Sequence, residues 1–397
     1  MTITLSGRTL SFDAPVTVGA IVRAMLPETA PGVLACFHEG AVLELGDTVA
    51  TDAELTPIYY QDEEGRRIYE RSLRFVLLIA AKELFPDYPV RVEHSIGQGV
   101  YIELEGLRMT RADVEALEGM MKDIVSRDQP FVKSRWSREQ AIEHFRREGD
   151  EDKARLLEYR PYDFFDIYTC GEVSEYFYGA MLPSTGPLSV FALRMRAPGF
   201  VILLPDRDNP EKESEYLSLP KHMTVFAQSN YWCKVLQCST AAALNDLIAK
   251  DGLRDFIRVN EAFHSKSLSE IAEDIVNRGA RAIFIAGPSS SGKTTFANRL
   301  SIHLRVNGLS PLIISMDDFY LNRDDIPLEP DGYPDLEAIS ALDVPLLQES
   351  IQSLLSGRET LMPRFDFTTK RRRETWETVQ IDASTPLIIE GIHGLNP

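Results

Sequence analysis

The feature that most narrows what this chain can fold into is the run RAIFIA (281–286), followed at once by GPSSSGKTT (287–295). A short, nearly all-apolar run suits a strand buried on both faces of a parallel sheet. Gly287, Gly292, Lys293 and Thr294 then satisfy G-x-x-x-x-G-K-[ST], the phosphate-binding loop pattern, with a strand before it and a helix after it. Phe296, Leu300 and Leu304 recur every four residues along that helix, and Gly308 sits where a C-terminal cap belongs. The glycines let the backbone curl so that N–H groups converge on phosphate oxygens, and the helix N-terminus adds partial positive charge. Gly287, Pro288, Ser289, Ser290, Ser291, Gly292, Lys293, Thr294 and Thr295 are therefore expected to hold the phosphates of ATP or a close relative. Lys293 would supply charge to the β- and γ-phosphates, and Thr294 its hydroxyl to Mg²⁺.

Two further apolar runs end on carboxylates. PLIISMDDFY (311–320) puts Asp317 and Asp318 at the C-terminal end of a strand, the side of an open α/β sheet where ligands bind. Asp317 is taken as the base or metal-linked carboxylate of the two. TPLIIEGIHG (385–394) ends its strand at Glu390, which can approach the water shell of Mg²⁺.

Upstream of these motifs the chain reads as separate domains. Its 397 residues exceed what one core usually serves. Residues 1–62 alternate short apolar runs with one helical pattern, TVGAIVRAM, and read as a small mixed sheet carrying one helix. That succession resembles the TGS domain, a β-grasp module of threonyl-tRNA synthetases and some GTPases. Residues 68–205 open with the helical run RSLRFVLLIAAKELF and continue with extended VYIEL and a second helix, whose start carries Thr110 and Asp113 as a capping pair. This α+β order resembles the second additional domain of threonyl- and alanyl-tRNA synthetases, where two histidines on the first helix join a later Cys and His. Here Arg71 and Phe75 hold the first two positions, Cys170 the third and Ser174 the fourth, so neither a zinc site nor a hydrolytic site is expected. His94 is a lone histidine beside a Gly-rich turn. LLPDRDNPEKESEYLSLPK reads as a charged surface loop, and 206–280 as linker and helices leading to the domain at 281–397.

The formal charge of −18 disfavours nucleic acid as a partner, and residues 1–60 carry two basic against seven acidic side chains. The four cysteines form no C-x-x-C pair, and no stretch approaches the roughly 18 to 20 apolar residues of a membrane span. A cytoplasmic protein is expected.

In order and spacing GPSSSGKTT, SMDDFY, PRFDF and IIEGIHGLNP resemble the uridine kinase and phosphoribulokinase group. With the N-terminal regions, the layout resembles the bacterial uridine kinase-related nucleoside kinases. The resemblance implies Lys293 and Thr294 on ATP and Mg²⁺, Asp317 as base for the substrate hydroxyl and Glu390 as a second Mg²⁺-linked carboxylate. It also implies Tyr320 and Phe365 near a nucleoside. Lys370 stands where uridine kinases place a base-reading histidine, and Phe365 lacks the hydroxyl of their tyrosine. The basic run Lys370 to Arg373 could neutralise phosphate or form a solvated turn. The expected fold is multidomain α+β and α/β: a β-grasp, an α+β middle domain and a P-loop NTPase-type parallel sheet. The expected activity is phosphoryl transfer from ATP to a nucleoside hydroxyl. Alternatives are a kinase of a sugar phosphate or another small alcohol, or an RNA-linked binding protein; the absence of N-K-x-D argues against a GTPase switch. Only three parallel strands are foreseen, whereas such sheets typically use about five or six. The domain is accordingly expected to be truncated, with RAIFIA as an apolar edge and very low turnover.

Overall fold

The computed structural model describes every residue except 330, 331, 383 and 397. The chain divides into two compact units, 1–250 and 251–397.

In the first unit, β1 (Thr2–Leu5), β2 (Arg8–Ser11), β3 (Ala35–His38), β4 (Ala41–Glu44) and β5 (Ala53–Ile58) form one mixed sheet in the order β2-β1-β5-β3-β4. Helix α1 (Val18–Met25) starts at Thr17, whose hydroxyl accepts from the Ala20 N–H. It buries Val18, Ile21 and Val22 against Ile3, Leu5 and Leu55 of the sheet. The alternation Ile3, Leu5 inward and Thr2, Thr4 outward is the period-two pattern that fixes this strand's face.

Helix α2 (Glu63–Leu84) follows, with Ile68, Leu73, Phe75, Leu77 and Ala80 fully buried. Strands β6 (Val90–Ile96) and β7 (Gly99–Leu104) lead to α3 (Arg111–Ser126), whose start carries the reciprocal Thr110–Asp113 capping box. Strand β8 (Val132–Ser137) precedes α4 (Arg138–Arg147) and α5 (Glu151–Tyr159). It pairs with β9 (Phe164–Cys170), which pairs in turn with β10 (Val173–Tyr176). Strands β11 (Ala192–Arg196) and β12 (Gly199–Leu203) complete a second sheet in the order β11-β12-β7-β6. Residues 206–219 carry no helix and no ladder strand, as their charge and prolines suggest, and α6 (Pro220–Val235) and α7 (Ala241–Ala249) close the unit.

The second unit begins with α8 (Leu253–Arg278), stopped by Gly279 at φ +61°. Strand β13 (Ala282–Ala286), α9 (Lys293–Val306), β14 (Leu312–Ser315), α10 (Val344–Leu355) and β15 (Leu387–Gly391) follow. The three strands are parallel in the order β13-β15-β14. Leu387 and Ile389 of the central strand face a core with α10, while Ile388 faces a core with α8 and α9. Helices thus cover both faces, the arrangement that parallel strands require.

Of the two readings of RAIFIA, burial on both faces is not met, and the apolar edge of a three-stranded parallel sheet is what the described residues form. All five residues of β15 are buried, whereas β13 alternates exposed and half-buried residues, with Phe284 46% exposed. The reason is sheet position: among the described residues β13 pairs only with β15, and apolar composition alone does not distinguish an edge from a centre.

Candidate functional site

The three parallel strands end on the same side, and the segments leaving them converge there. The loop after β13 turns through Ser290 at φ +60° and Gly292 at φ +87°. A side chain at Gly292 would be strained in that conformation. Lys293 opens α9 and donates to the Pro288 carbonyl at 2.9 Å, closing the loop on itself.

Glu390, at the end of the central strand, is only 5% exposed. Its Oε1 accepts the Thr294 hydroxyl and the Ser315 hydroxyl, each at 3.1 Å. These bonds supply the partners a buried carboxylate needs. The next residue, Gly391, packs so tightly on Met316 that a Cβ there would lie 2.6 Å from the Met316 Cβ.

Beyond β14 the chain enters a 3₁₀ turn, Met316–Phe319, which parts the two aspartates. Asp318 ion-pairs with Arg364 at 2.8 Å and accepts the Phe365 N–H at 3.1 Å, so it holds a neighbouring loop. Asp317 instead faces a cavity of about 470 Å³, which Ser289, Ser290, Lys293, Thr294, Tyr320, Phe365, Lys370 and Glu390 also line. Burial raises its carboxyl above the ordinary range, the nearby Glu390 adds to the rise, and Lys293 opposes it. Burial, reinforced by Asp317, likewise raises the Tyr320 phenol. Tyr320 and Phe365 lie ring to ring, with centroids 5.8 Å apart.

Asp317, Glu390, Tyr320 and Phe365 therefore reach one cavity, whereas Asp318 does not. Of the loop, Ser289, Ser290, Lys293 and Thr294 line it, whereas Gly287, Pro288, Ser291, Gly292 and Thr295 do not. Arg323, Glu337 and Ile326 also line it and were not foreseen. Neither was His393, which is buried beside Asp317; its Nδ1 meets the Asn396 amide at 3.1 Å and its Nε2 has no partner. An IHG tripeptide after an acidic strand end is the only signal that could have marked it.

Within the basic run, Arg372 does not lie in a solvated turn but reaches into the fold. Its guanidinium donates to the carbonyls of Phe319 and Tyr320, both at 2.9 Å, and pairs with Asp343 at 3.0 Å. Arg371 pairs outward with Asp324, and Lys370 alone of the run lines the cavity.

The oxygen set of Thr294, Asp317 and Glu390 fits Mg²⁺, which favours hard oxygen ligands and retains several waters. In the first unit, Arg71 donates to the Ala180 carbonyl, and Phe75 is fully buried against Phe131 at 5.3 Å. Burial raises the Cys170 thiol, whose Sγ lies 3.9 Å from Gln129 Oε1, and Ser174 bonds Thr169 at 2.8 Å. His94 stacks on Phe226 at 3.7 Å.

Residues 282–396 match the model of the Phosphoribulokinase / Uridine kinase family. The match runs from the strand ahead of the phosphate-binding loop through Glu390. The chain also has a likeness to a protein described as a possible uridine kinase from Bacillus stearothermophilus, with 28% identity over 31% of this chain and 68% of that one. The TM-score of 0.27 is too low to relate the two folds. In its N-terminal part the chain is similar to threonine–tRNA ligases. It is 31% identical to that of Burkholderia mallei and 32% to that of Janthinobacterium sp., each over 47% of this chain and 30% of the ligase. The chain thus spans about a third of the length of the curated relatives it matches. Among the described residues no helix is long and apolar enough to cross a membrane.

Proposed function

We propose that the C-terminal unit transfers the γ-phosphoryl group of ATP to a hydroxyl of a nucleoside-like small molecule. The observation that carries this reading is the convergence of Lys293, Thr294, Asp317 and Glu390 on one cavity at the C-terminal ends of three parallel strands. The loop from Gly287 to Thr295 would wrap the phosphates, and Lys293 would exchange the Pro288 carbonyl for a phosphate oxygen. Thr294 and Glu390, with Asp317 partly through water, would hold Mg²⁺. When bound there the metal neutralises phosphate charge.

Asp317 would accept the proton of the attacking hydroxyl. Its raised carboxyl makes it a stronger base than an ordinary aspartate, closer to the pH at which such a group works best. Tyr320 and Phe365 would supply the apolar wall for a planar base, and Lys370 an edge contact. Positioning and charge neutralisation then account for the chemistry without a covalent intermediate. In the N-terminal unit, residues 1–62 are proposed to be a TGS-like module and 68–205 a synthetase-like domain, supported by the 31% match to the ligases.

The test is transfer of labelled phosphate from ATP across a panel of nucleosides, sugars, sugar phosphates and other alcohols. Label on a nucleoside, abolished by Asp317→Asn, is the expected result. Transfer confined to sugar phosphates would overturn the nucleoside assignment, and failure of ATP·Mg²⁺ to bind would overturn the reading as a whole.

A further inference from the structure

A second cavity, of about 310 Å³, lies in the N-terminal unit between the end of β4, strands β8 and β9, and the segment 176–180. Phe75, Cys170 and Ser174 do not line it, and Arg71 borders it through its bond to the Ala180 carbonyl. Its rim carries three aromatic rings left open to solvent: Tyr162, Phe164 and Tyr178, the last 78% exposed. Exposed rings of this size gathered at one opening mark a contact surface more than a packing defect.

The cations of this cavity differ in how far they are already satisfied. Lys133 lies 3.6 Å from Glu44 and 4.0 Å from Asp166, and Arg135 lies 3.4 Å from Asp166. Arg160 has no such partner among the described residues. Its guanidinium carbon sits 5.2 Å from the Tyr162 ring centroid and 5.7 Å from that of Tyr178, and its Nε is buried without a hydrogen-bond acceptor. A guanidinium offers five donors in a planar fork that suits phosphate oxygens, and a buried N–H without an acceptor is costly. Three cations against two carboxylates leave this opening net positive on a chain whose formal charge is −18.

We propose that this cavity binds a mononucleotide, its phosphate on Arg160 with Arg135 beside it and its base stacked on Phe164 and Tyr178. A phosphomonoester brings close to two negative charges and three acceptor oxygens, which meets the unpaired guanidinium and the net charge together. The exposed ring faces call for a planar partner, since every base presents a π-face and arginine beside rings strengthens such contacts. The volume lies at the lower end for small-molecule sites, so one nucleotide fills it. The nucleotide could be free or the phosphorylated end of an RNA; the chemistry recognised is the same. The inference does not depend on the kinase reading.

Titration calorimetry on the full chain decides it, with AMP, adenosine, inorganic phosphate and a 5′-phosphorylated RNA trinucleotide as probes. AMP is expected to bind, with adenosine and phosphate alone each roughly tenfold weaker or worse, because each forfeits either the charge or the stack. Arg160→Met and Tyr178→Ala should each weaken AMP roughly tenfold or more. Tyr178 is so exposed that its removal leaves the core untouched, which keeps the test free of unfolding. Lys293→Ala should leave this binding unchanged, separating it from the phosphate loop. Tighter binding of the trinucleotide than of AMP assigns the site to an RNA end, and the reverse assigns it to the free nucleotide. No AMP or trinucleotide binding, affinity unaltered by both cavity variants, or binding lost on Lys293→Ala overturns the proposal.

Discussion

Arg372 ties the turn after β14 to the start of α10 by pairing with Asp343 at 3.0 Å, while Asp343 also caps that helix by accepting the Leu346 N–H at 3.1 Å. The same guanidinium holds the carbonyls of Phe319 and Tyr320, the residues that follow Asp317 and Asp318. One largely buried side chain therefore fixes the segment that aims the acidic pair.

Arg372→Met should destabilise the C-terminal unit by about 2–4 kcal/mol, since it strands two carbonyls and a carboxylate. Arg372→Lys should recover little, because one ammonium cannot serve three acceptors in a planar fork. Chemical denaturation of the three chains checks both statements, and full recovery by lysine would contradict the fork argument.

Lys293→Ala should abolish most of the thermal stabilisation given by ATP·Mg²⁺. At ligand a hundredfold above its Kd, linkage adds about 2.7 kcal/mol to the wild type, and a lower affinity shrinks that gain. Equal shifts in melting temperature for the two chains would place the nucleotide elsewhere.

Asp317→Asn should raise the melting temperature of the ligand-free protein near neutral pH. The folded-state carboxyl titrates above its unfolded value, so its contribution is fully present below the unfolded pKa and is lost as pH rises through the folded one. The stabilising effect of the amide should therefore fade as pH falls toward the ordinary aspartate range. A difference that stays constant from about pH 3, below the ordinary aspartate value, to about pH 8 would show that burial does not strain this carboxylate.

Glu390→Gln should weaken Mg²⁺-dependent nucleotide binding more than metal-free binding, because the amide keeps an acceptor for Thr294 and Ser315 but removes the charge. Comparing ATP titrations with Mg²⁺ and with EDTA reads the difference directly.

The N-terminal unit should hold no stoichiometric zinc, as Phe75 is packed against Phe131 and Arg71 is spent on the Ala180 carbonyl. Elemental analysis showing about one zinc per chain, lost on Cys170→Ser, would be incompatible with this.

What could be read from the sequence was local. The strand, loop and helix around Lys293 lie within one contiguous stretch, and Thr110 with Asp113 announced a helix start that the structure contains. Sheet order was not legible from composition: β15 enters between β13 and β14 from far down the chain, and the apolar run of β13 by itself reads as a buried strand although it lies at an edge. The partners of Arg372 were hidden for the same reason, because Phe319, Tyr320 and Asp343 all precede it by a long interval. A run of four basic residues shows its charge but not which member turns inward.

Among the described residues β13 pairs on one side only, which sets a dynamic contrast at the root of the phosphate loop. On a strand with a single neighbour, every second amide points away from the ladder and can exchange its hydrogen with solvent through the smallest of openings. The amides of β15, flanked on both sides, should be among the last in the unit to exchange. The loop that would grip phosphate thus hangs from the more loosely protected of two adjoining strands, and slowed deuterium uptake along residues 282–286 becomes a direct gauge of how firmly a ligand holds residues 287–295.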